Sequence, residues 1–143
     1  MGDLSKNLSR AEFMCPCGSC KAPTVDSELV TVLQECVDHF AKAQGKDRLV
    51  IVITSGVRCP TWNGYIWGKR NASLQVRGRP EEKPVFNSMH IAGIAADFVI
   101  RGVSSLDVYR HLDFLYRQKY GIGMYPDRTH IDTRHTKARW ECT

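Results

Sequence analysis

The chain has 143 residues, of which 43% are apolar and 24% are charged. This length fits one domain with its own core and excludes two ordinary domains, and the composition excludes wholesale disorder. We therefore interpret residues 1–143 as a single domain. The net charge of +5 comes from basic residues dispersed between Lys6 and Arg139, a mild bias that leaves a nucleic-acid partner open at this point.

Membrane and export signals are not expected from the pattern. No apolar run approaches the ~20 residues that span a bilayer, and the first six residues lack the apolar core of a signal peptide. We expect no membrane span and no export by an ordinary signal.

The N-terminal third predicts two helices. Ser9 and Glu12 have the spacing of a capping box, which predicts a short helix over residues 10–14. Asp26 is a good N-cap, and the apolar residues that follow it recur every three or four positions until Gly45. We expect a long amphipathic helix there.

The chain has six cysteines, namely Cys15, Cys17, Cys20, Cys36, Cys59 and Cys142. The first three are crowded between the two predicted helices. A chain that is not exported normally keeps its thiols reduced. The crowded group could hold a structural zinc only with a fourth ligand from elsewhere. Structural thiols or disulfides, a second zinc ion and redox chemistry all remain open.

The middle of the chain predicts a strand and then a long loop. Residues 49–54 are continuously apolar and β-branched, which is typical of a strand buried on both faces, and it would deliver Ser55, Gly56 and Arg58 to its end. Residues 64–87 contain glycine and proline breakers and a basic run. We expect a loop, acting either as a flap over a cleft or as a merely solvated segment.

The C-terminal part predicts three strands and a helix. Residues 96–100 form the first strand, and Ser104 and Asp107 open a helix with an apolar stripe, namely Leu106, Tyr109, Leu112, Leu115 and Tyr116. Residues 122–125 and 129–133 form two short strands around a turn. The predicted fold is α+β, a small antiparallel sheet with helices packed mainly on one face.

Two polar clusters flank this region and offer ligands for a metal. The first places His90 and Asp97 seven residues apart across small residues, and the second contains His130 with Asp127 three residues before it. Catalytic zinc takes three protein ligands of this kind and keeps a position open. The strand alternation places Asp132 on the face of His130, where it could orient the imidazole. Either cluster alone is more often structural, but their joint occurrence favours one catalytic zinc ion in a hydrolase.

The two clusters, S-x-H-x-x-G-x-A-x-D and D-x-x-H-x-D, resemble those of the zinc D-Ala-D-Ala carboxypeptidase family, which includes phage L-Ala-D-Glu endopeptidases. The likeness extends to residues 8–13, to residues 54–60 and to Arg139-Trp140. It implies a Hedgehog/D-Ala-D-Ala-peptidase-like fold, with residues 64–87 as an insertion. It also implies a peptidase that cuts peptidoglycan stem peptides, so an anionic cell wall explains the basic bias better than nucleic acid does.

The resemblance assigns roles residue by residue. His90, Asp97 and His130 would be the zinc ligands, Asp127 the general base, and Arg58 a substrate or oxyanion contact. Ser88 would hold the substrate backbone. Apart from the resemblance, Tyr125 could help Arg58 stabilise the oxyanion by a donated hydrogen bond.

Without an export signal, a wall-cutting enzyme points to a phage lysin, in the host cytoplasm and then the cell wall, or to a virion component. The oligomeric state stays open. The alternative is a catalytically silent binding or structural module, such as a phage tail component, on the same fold.

Overall fold

The computed structural model describes residues 2–21, 23–80 and 88–142. Within these ranges the chain forms a 3₁₀ turn, three α-helices and five strands: the 3₁₀ turn Arg10–Phe13, α1 Ser27–Ala43, β1 Ile51–Ser55, α2 Pro60–Val76, β2 Ala95–Ile100, α3 Ser105–Leu115, β3 Gly121–Met124, β4 Thr129–Asp132 and β5 Ala138–Glu141. The strands make one sheet in the order β1-β2-β4-β3-β5. The α+β class predicted from the sequence is confirmed.

The sheet is mixed rather than purely antiparallel. β1 with β2, β2 with β4, and β3 with β4 are antiparallel pairs, whereas β3 and β5 are parallel. Strand β5 was not predicted from the sequence, and its parallel pairing with β3 makes the expected antiparallel sheet wrong at this edge. The Arg139 guanidinium fixes β5, because it donates to the carbonyl of Tyr120 at 2.6 Å and to the Asp113 carboxylate at 2.7 Å.

The long helix α1 forms as predicted. The Asp26 carboxylate accepts a hydrogen bond from the backbone N–H of Leu29 at 3.2 Å and so caps the first turn. Its apolar face is buried through Leu29, Leu33 and Val37, and it belongs to one core cluster with Phe98 of β2. Each fully buried side chain of this size contributes roughly 1.5–3 kcal/mol, so this helix-on-sheet contact is a main source of stability.

The third helix begins as predicted but buries a different face. Ser104 Oγ accepts from the backbone N–H of Asp107 at 3.1 Å. Val108 and Leu112 are buried, whereas Leu106 and Leu115 are 38% and 50% exposed. The predicted apolar stripe is therefore wrong at those two positions, because the helix turns the Val108–Leu112 side to the sheet.

Strand β1 lies at the edge of the sheet, and the prediction that it is buried on both faces is wrong. Val50, just before it, is 48% exposed, and along the strand only Ile51 is buried. A continuous apolar run in the sequence does not show whether a strand will be central or at an edge. Strand β1 is at an edge, so it has a neighbouring strand on one side only and is less covered.

The predicted loop over residues 64–87 is wrong as far as Val76, because α2 spans Pro60–Val76. Cys59 Sγ accepts from the backbone N–H of Trp62 at 3.4 Å, and Pro60 occupies a first-turn position that suits proline. Residues 81–87, the end of the predicted loop, lie outside the described residues. None of the helices in the described ranges is long and apolar enough to cross a membrane.

Candidate metal centre

The site is built on a pair of side chains that face each other across two strands. Asp97 of β2 pairs in register with His130 of β4, and it also lies opposite Ser55 of β1. Residues paired in register project to the same face of a sheet. Asp97 and His130 are both buried, at 6% and 7% exposure.

His90 reaches the same place from a tight turn before β2. Gly93 has φ +76, and a Cβ there would lie 2.6 Å from the carbonyl oxygen of Thr24, so the turn requires glycine. The Gly93 carbonyl accepts from the backbone N–H of Asp26 at 3.1 Å, and the His90 carbonyl accepts from the backbone N–H of Arg58 at 3.1 Å. The turn is therefore fixed between the start of α1 and the end of β1.

In each histidine, one ring nitrogen contacts a group that is not a candidate ligand, and the other ring nitrogen is directed to Asp97. His90 Nδ1 lies 2.7 Å from the carbonyl oxygen of Gly56, and His130 Nε2 lies 2.8 Å from Asp132 Oδ2. The inward nitrogens approach a single oxygen, with His130 Nδ1 at 2.8 Å and His90 Nε2 at 3.5 Å from Asp97 Oδ1.

This donor set fits a catalytic metal ion. One ligand atom from each of His90, Asp97 and His130 lies within 4.8 Å of the other two. Two imidazoles and one carboxylate form the three-ligand set that catalytic zinc uses. Metal-bound histidine commonly donates its other N–H to a carbonyl or carboxylate, and both outer contacts have that form. The described residues therefore include a group that could hold a metal ion.

The electrostatics of the group favour an ionised Asp97. Burial acts to raise the pKa of Asp97, but hydrogen bonds from His130 and His90 outweigh it and hold that pKa well below its usual range. Burial acts to lower the pKa of His130, but the Asp132 and Asp97 carboxylates raise it overall. Asp97 is thus an anion at neutral pH, as a metal ligand must be.

The group lies at a cavity of about 370 Å³ whose lining is strongly cationic. Four guanidinium groups line it: Arg58, Arg70, Arg128 and Arg134. Asp97 is the one carboxylate among the described lining residues. Aromatic rings of Trp67, Tyr125 and Trp140 complete the wall. A cavity of this kind suits a ligand that carries carboxylates and an apolar part.

Three of the sequence-predicted contact residues line this cavity, namely Arg58, Ser88 and Tyr125. Arg58 Nη2 donates to Asp97 Oδ2 at 3.3 Å, and its Nε donates to Ser55 Oγ at 2.8 Å. Ser88 Oγ accepts from the backbone N–H of His90 at 3.3 Å. Tyr125 accepts from Trp140 Nε1 at 3.0 Å, and burial raises its pKa.

Asp127, predicted as the general base, is not brought into the group. Its side chain is 76% exposed and pairs with Arg128 Nη1 at 2.9 Å. It does not line the metal cavity, although its neighbour Arg128 does. The β3–β4 turn therefore presents the guanidinium of Arg128 to the site and the carboxylate of Asp127 to solvent.

Asp132 lies beneath His130, with its Oδ2 atom 2.8 Å from His130 Nε2. It is fully buried, and Arg134 donates to both of its oxygens at 2.6 and 2.7 Å. A Cβ at Gly121 would lie 2.3 Å from Asp132 Oδ2, so glycine at this point of β3 leaves the space that the carboxylate occupies.

Several residues that line the cavity were not predicted from the sequence. The Trp140 ring lies 5.0 Å from the His130 ring between centroids, and a Cβ at Gly123 would lie 2.2 Å from Trp140 Nε1. Arg128 Nε lies 3.9 Å from Asp97 Oδ2. Two features of the sequence could have indicated these residues. Arg128 is adjacent to Asp127, and Gly121 and Gly123 alternate along β3.

Two solved structures show similarity to the chain. One is a mutant of the vancomycin-resistance D,D-pentapeptidase VanY, from a VanB-type resistance cassette, in complex with Zn(II); it has 24% identity and a TM-score of 0.48, and the match covers 66% of this chain and 57% of that one. The other is VanYB in complex with D-alanine-D-alanine, with 24% identity, a TM-score of 0.48, and coverage of 65% and 56%.

The chain thus spans less than two thirds of the length of either structure. A likeness of this size does not define the family of the chain. No protein-family model matches the sequence, and no curated protein matches it.

Proposed function

We propose that the chain is a zinc-dependent peptidase that hydrolyses peptidoglycan stem peptides. The observation that carries this proposal is the convergence of His90 Nε2 and His130 Nδ1 on Asp97 Oδ1, with each outer ring nitrogen already held. The motif resemblance to zinc D-Ala-D-Ala carboxypeptidases points to the same three residues. As part of this proposal, we infer that the fold is Hedgehog/D-Ala-D-Ala-peptidase-like and that residues 64–87 are an insertion in it.

The lining of the cavity supports this substrate class. Stem peptides carry free carboxylates and few cationic groups, which suits a cavity lined by four arginines. Three of these arginines already pair with protein carboxylates, so a substrate carboxylate would share or displace those contacts. Arginine binds carboxylates through paired N–H donors. The same charge pattern would repel a cationic peptide, so the cavity would favour acidic substrates.

Each residue has a separate task in the proposed reaction. A bound zinc ion would polarise the scissile carbonyl and lower the pKa of a water molecule. Arg58 would donate to the oxyanion that develops on the carbonyl oxygen, since it lines the cavity and is fixed by Asp97 and Ser55. Ser88 would hold the substrate backbone, and Tyr125 would assist Arg58. Asp132 would keep the His130 ring in one orientation.

Asp127 stays the proposed general base. Its support is the D-x-x-H spacing and its place next to Arg128, which lines the cavity. In the structure its carboxylate pairs with Arg128 instead. The role therefore requires the Asp127 side chain to leave that ion pair when substrate binds.

One observation favours a second candidate, a catalytically silent binding or structural module. Among the described lining residues, no carboxylate other than Asp97 is available to accept a proton. Such a module would still bind zinc and acidic peptides but would release no product.

A phage lysin and a virion component, including a tail component, remain the proposed settings, and phage origin is part of the proposal.

Digestion of purified peptidoglycan by the zinc-loaded chain, read by mass spectrometry of the fragments, tests the proposal. Loss of a terminal D-alanine identifies a carboxypeptidase, and new D-glutamate amino termini identify an L-Ala-D-Glu endopeptidase. Asp127→Asn should abolish either product, while Asp47→Asn, on the connection between α1 and β1, serves as the matched control. Zinc-loaded protein that binds the peptides without cleaving them establishes the silent module.

A further inference from the structure

Four cysteines from two distant parts of the chain meet next to the metal cavity. Cys15, Cys17 and Cys20 follow the 3₁₀ turn, and Cys59 caps α2. One sulfur from each lies within 4.8 Å of the other three. The fourth ligand that the sequence could not identify for the crowded group is thus provided by Cys59.

The sulfur separations match metal coordination better than disulfides. Cys15 Sγ lies 3.7 Å from Cys59 Sγ, and Cys17 Sγ lies 3.3 Å from Cys20 Sγ. A tetrahedral site with Zn–S bonds of about 2.3 Å places its sulfurs about 3.8 Å apart, whereas a disulfide requires about 2.05 Å. All four are free thiols in the structure.

The backbone around the cluster is arranged to favour thiolates. The N–H groups of Ser19, Cys59 and Trp62 donate to Cys17, Cys15 and Cys59 respectively, each at 3.4 Å. Hydrogen bonds to ligand sulfurs are a usual support in metal sites. Cys59 also lies at the positive end of the α2 dipole.

The loop between the ligands turns at a glycine. Gly18 has φ +77, a conformation that side chains disfavour. This turn lets Cys17 and Cys20 approach each other from one short segment. The loop geometry and the position of Cys59 therefore serve the same cluster.

We propose that Cys15, Cys17, Cys20 and Cys59 hold a structural zinc ion, separate from the His90–Asp97–His130 group. A set of four sulfurs suits zinc or iron, and four protein ligands leave no open position for a substrate. The two proposals rest on different residues, so the four-cysteine site can be tested by metal content whether or not the chain is a peptidase.

The ion would anchor one wall of the cavity. Cys59 directly follows Arg58, which contacts Asp97, and α2 carries the lining residues Ile66, Trp67 and Arg70. Zinc binding is coupled to folding where ligands come from separate segments. Zinc at the four thiols would therefore tie the loop after the 3₁₀ turn to the first turn of α2.

Metal analysis of the full-length chain, purified under reducing conditions and zinc-loaded, tests the proposal. We expect two zinc ions per chain in the wild type and one in Cys17→Ser/Cys20→Ser. The matched control is Cys142→Ser, which changes a cysteine outside the cluster and should keep both ions. A zinc content that is equal in the wild type and the folded double variant overturns the proposal.

Cobalt substitution of the wild type gives a readout that does not depend on the folding of any variant. The four-thiolate site should produce an intense thiolate-to-cobalt charge-transfer band, which the His90–Asp97–His130 group cannot produce because it contains no sulfur. The band should persist in Asp97→Ala. Absence of the band from the reduced wild type contradicts the proposal. A purified chain whose four cysteines form disulfides that survive metal loading also contradicts the proposal. If the four cysteines hold iron, the assignment of the metal as zinc is wrong.

Discussion

Asp97 and His130 stand directly opposite each other on neighbouring strands, with Asp97 Oδ1 2.8 Å from His130 Nδ1. This contact places the carboxylate and one imidazole on the same face of the sheet without any loop between them. His90 is the one ligand that comes from a turn, and that turn is fixed at both ends by backbone hydrogen bonds. The metal group is thus mounted on two paired strands and a hydrogen-bonded turn, as a preorganised site should be.

Asp132→Asn should weaken zinc binding at the His90–Asp97–His130 group by on the order of 10–100-fold, because the support of His130 Nε2 loses its charge. The measurement is a chelator competition in the Cys17→Ser/Cys20→Ser background, where the four-cysteine site has lost two of its ligands. Asp47→Asn in the same background is the control. Equal affinity in both variants would show that Asp132 serves Arg134 and the sheet, not the histidine.

Gly121→Ala should destabilise the fold by about 1–3 kcal/mol, the usual cost of overpacking a well-packed site. The new Cβ would lie 2.3 Å from Asp132 Oδ2 and 2.7 Å from Arg134 Nε, so the buried ion pair must move. Urea unfolding of the metal-free chain measures the change. An unchanged midpoint would mean that β3 and β4 shift apart without cost.

Gly68→Ala should have the opposite sign and stabilise the chain by roughly 0.5–1 kcal/mol, since Gly68 lies inside α2. A Cβ there would meet nothing within 4 Å, so no clash offsets the gain. The same urea experiment applies. A loss of stability would support the loop that the sequence predicted over this stretch.

Arg58→Lys should reduce kcat by on the order of 10²–10³ while zinc content stays that of the wild type. The loss of one oxyanion donor has this magnitude, and lysine cannot reproduce the paired contacts to Ser55 and Asp97. Steady-state cleavage of a stem peptide provides the readout. If KM rises and kcat does not change, Arg58 binds substrate and does not act on the transition state.

The parts of the fold with strong local signals could be predicted from the sequence. Asp26 and the apolar period that follows it predicted α1, and the apolar segments predicted β2, β3 and β4. Because Asp97 and His130 fall on two of these strands, their meeting needed only the correct pairing. Asp132 followed from strand alternation.

The remainder depended on tertiary contacts that leave a weak local pattern. Helix α2 contains Gly64 and Gly68 and buries only Asn63 and Leu74, so it has no continuous apolar stripe. The apolar sequence of β1 predicted a buried strand, because its edge position depends on the order of strands in the sheet and leaves no local signal. The fourth sulfur, on Cys59, and the solvent-facing carboxylate of Asp127 are likewise consequences of how separate segments pack.

A crystal structure of the zinc-loaded chain, with anomalous data collected at the zinc edge, tests most directly whether His90, Asp97 and His130 bind one metal ion. We expect an anomalous peak within about 2.0–2.2 Å of His90 Nε2, His130 Nδ1 and an Asp97 oxygen, the usual zinc–nitrogen and zinc–oxygen distances. A zinc-loaded crystal with no peak among these three atoms would contradict it, whether or not zinc is found at the four cysteines.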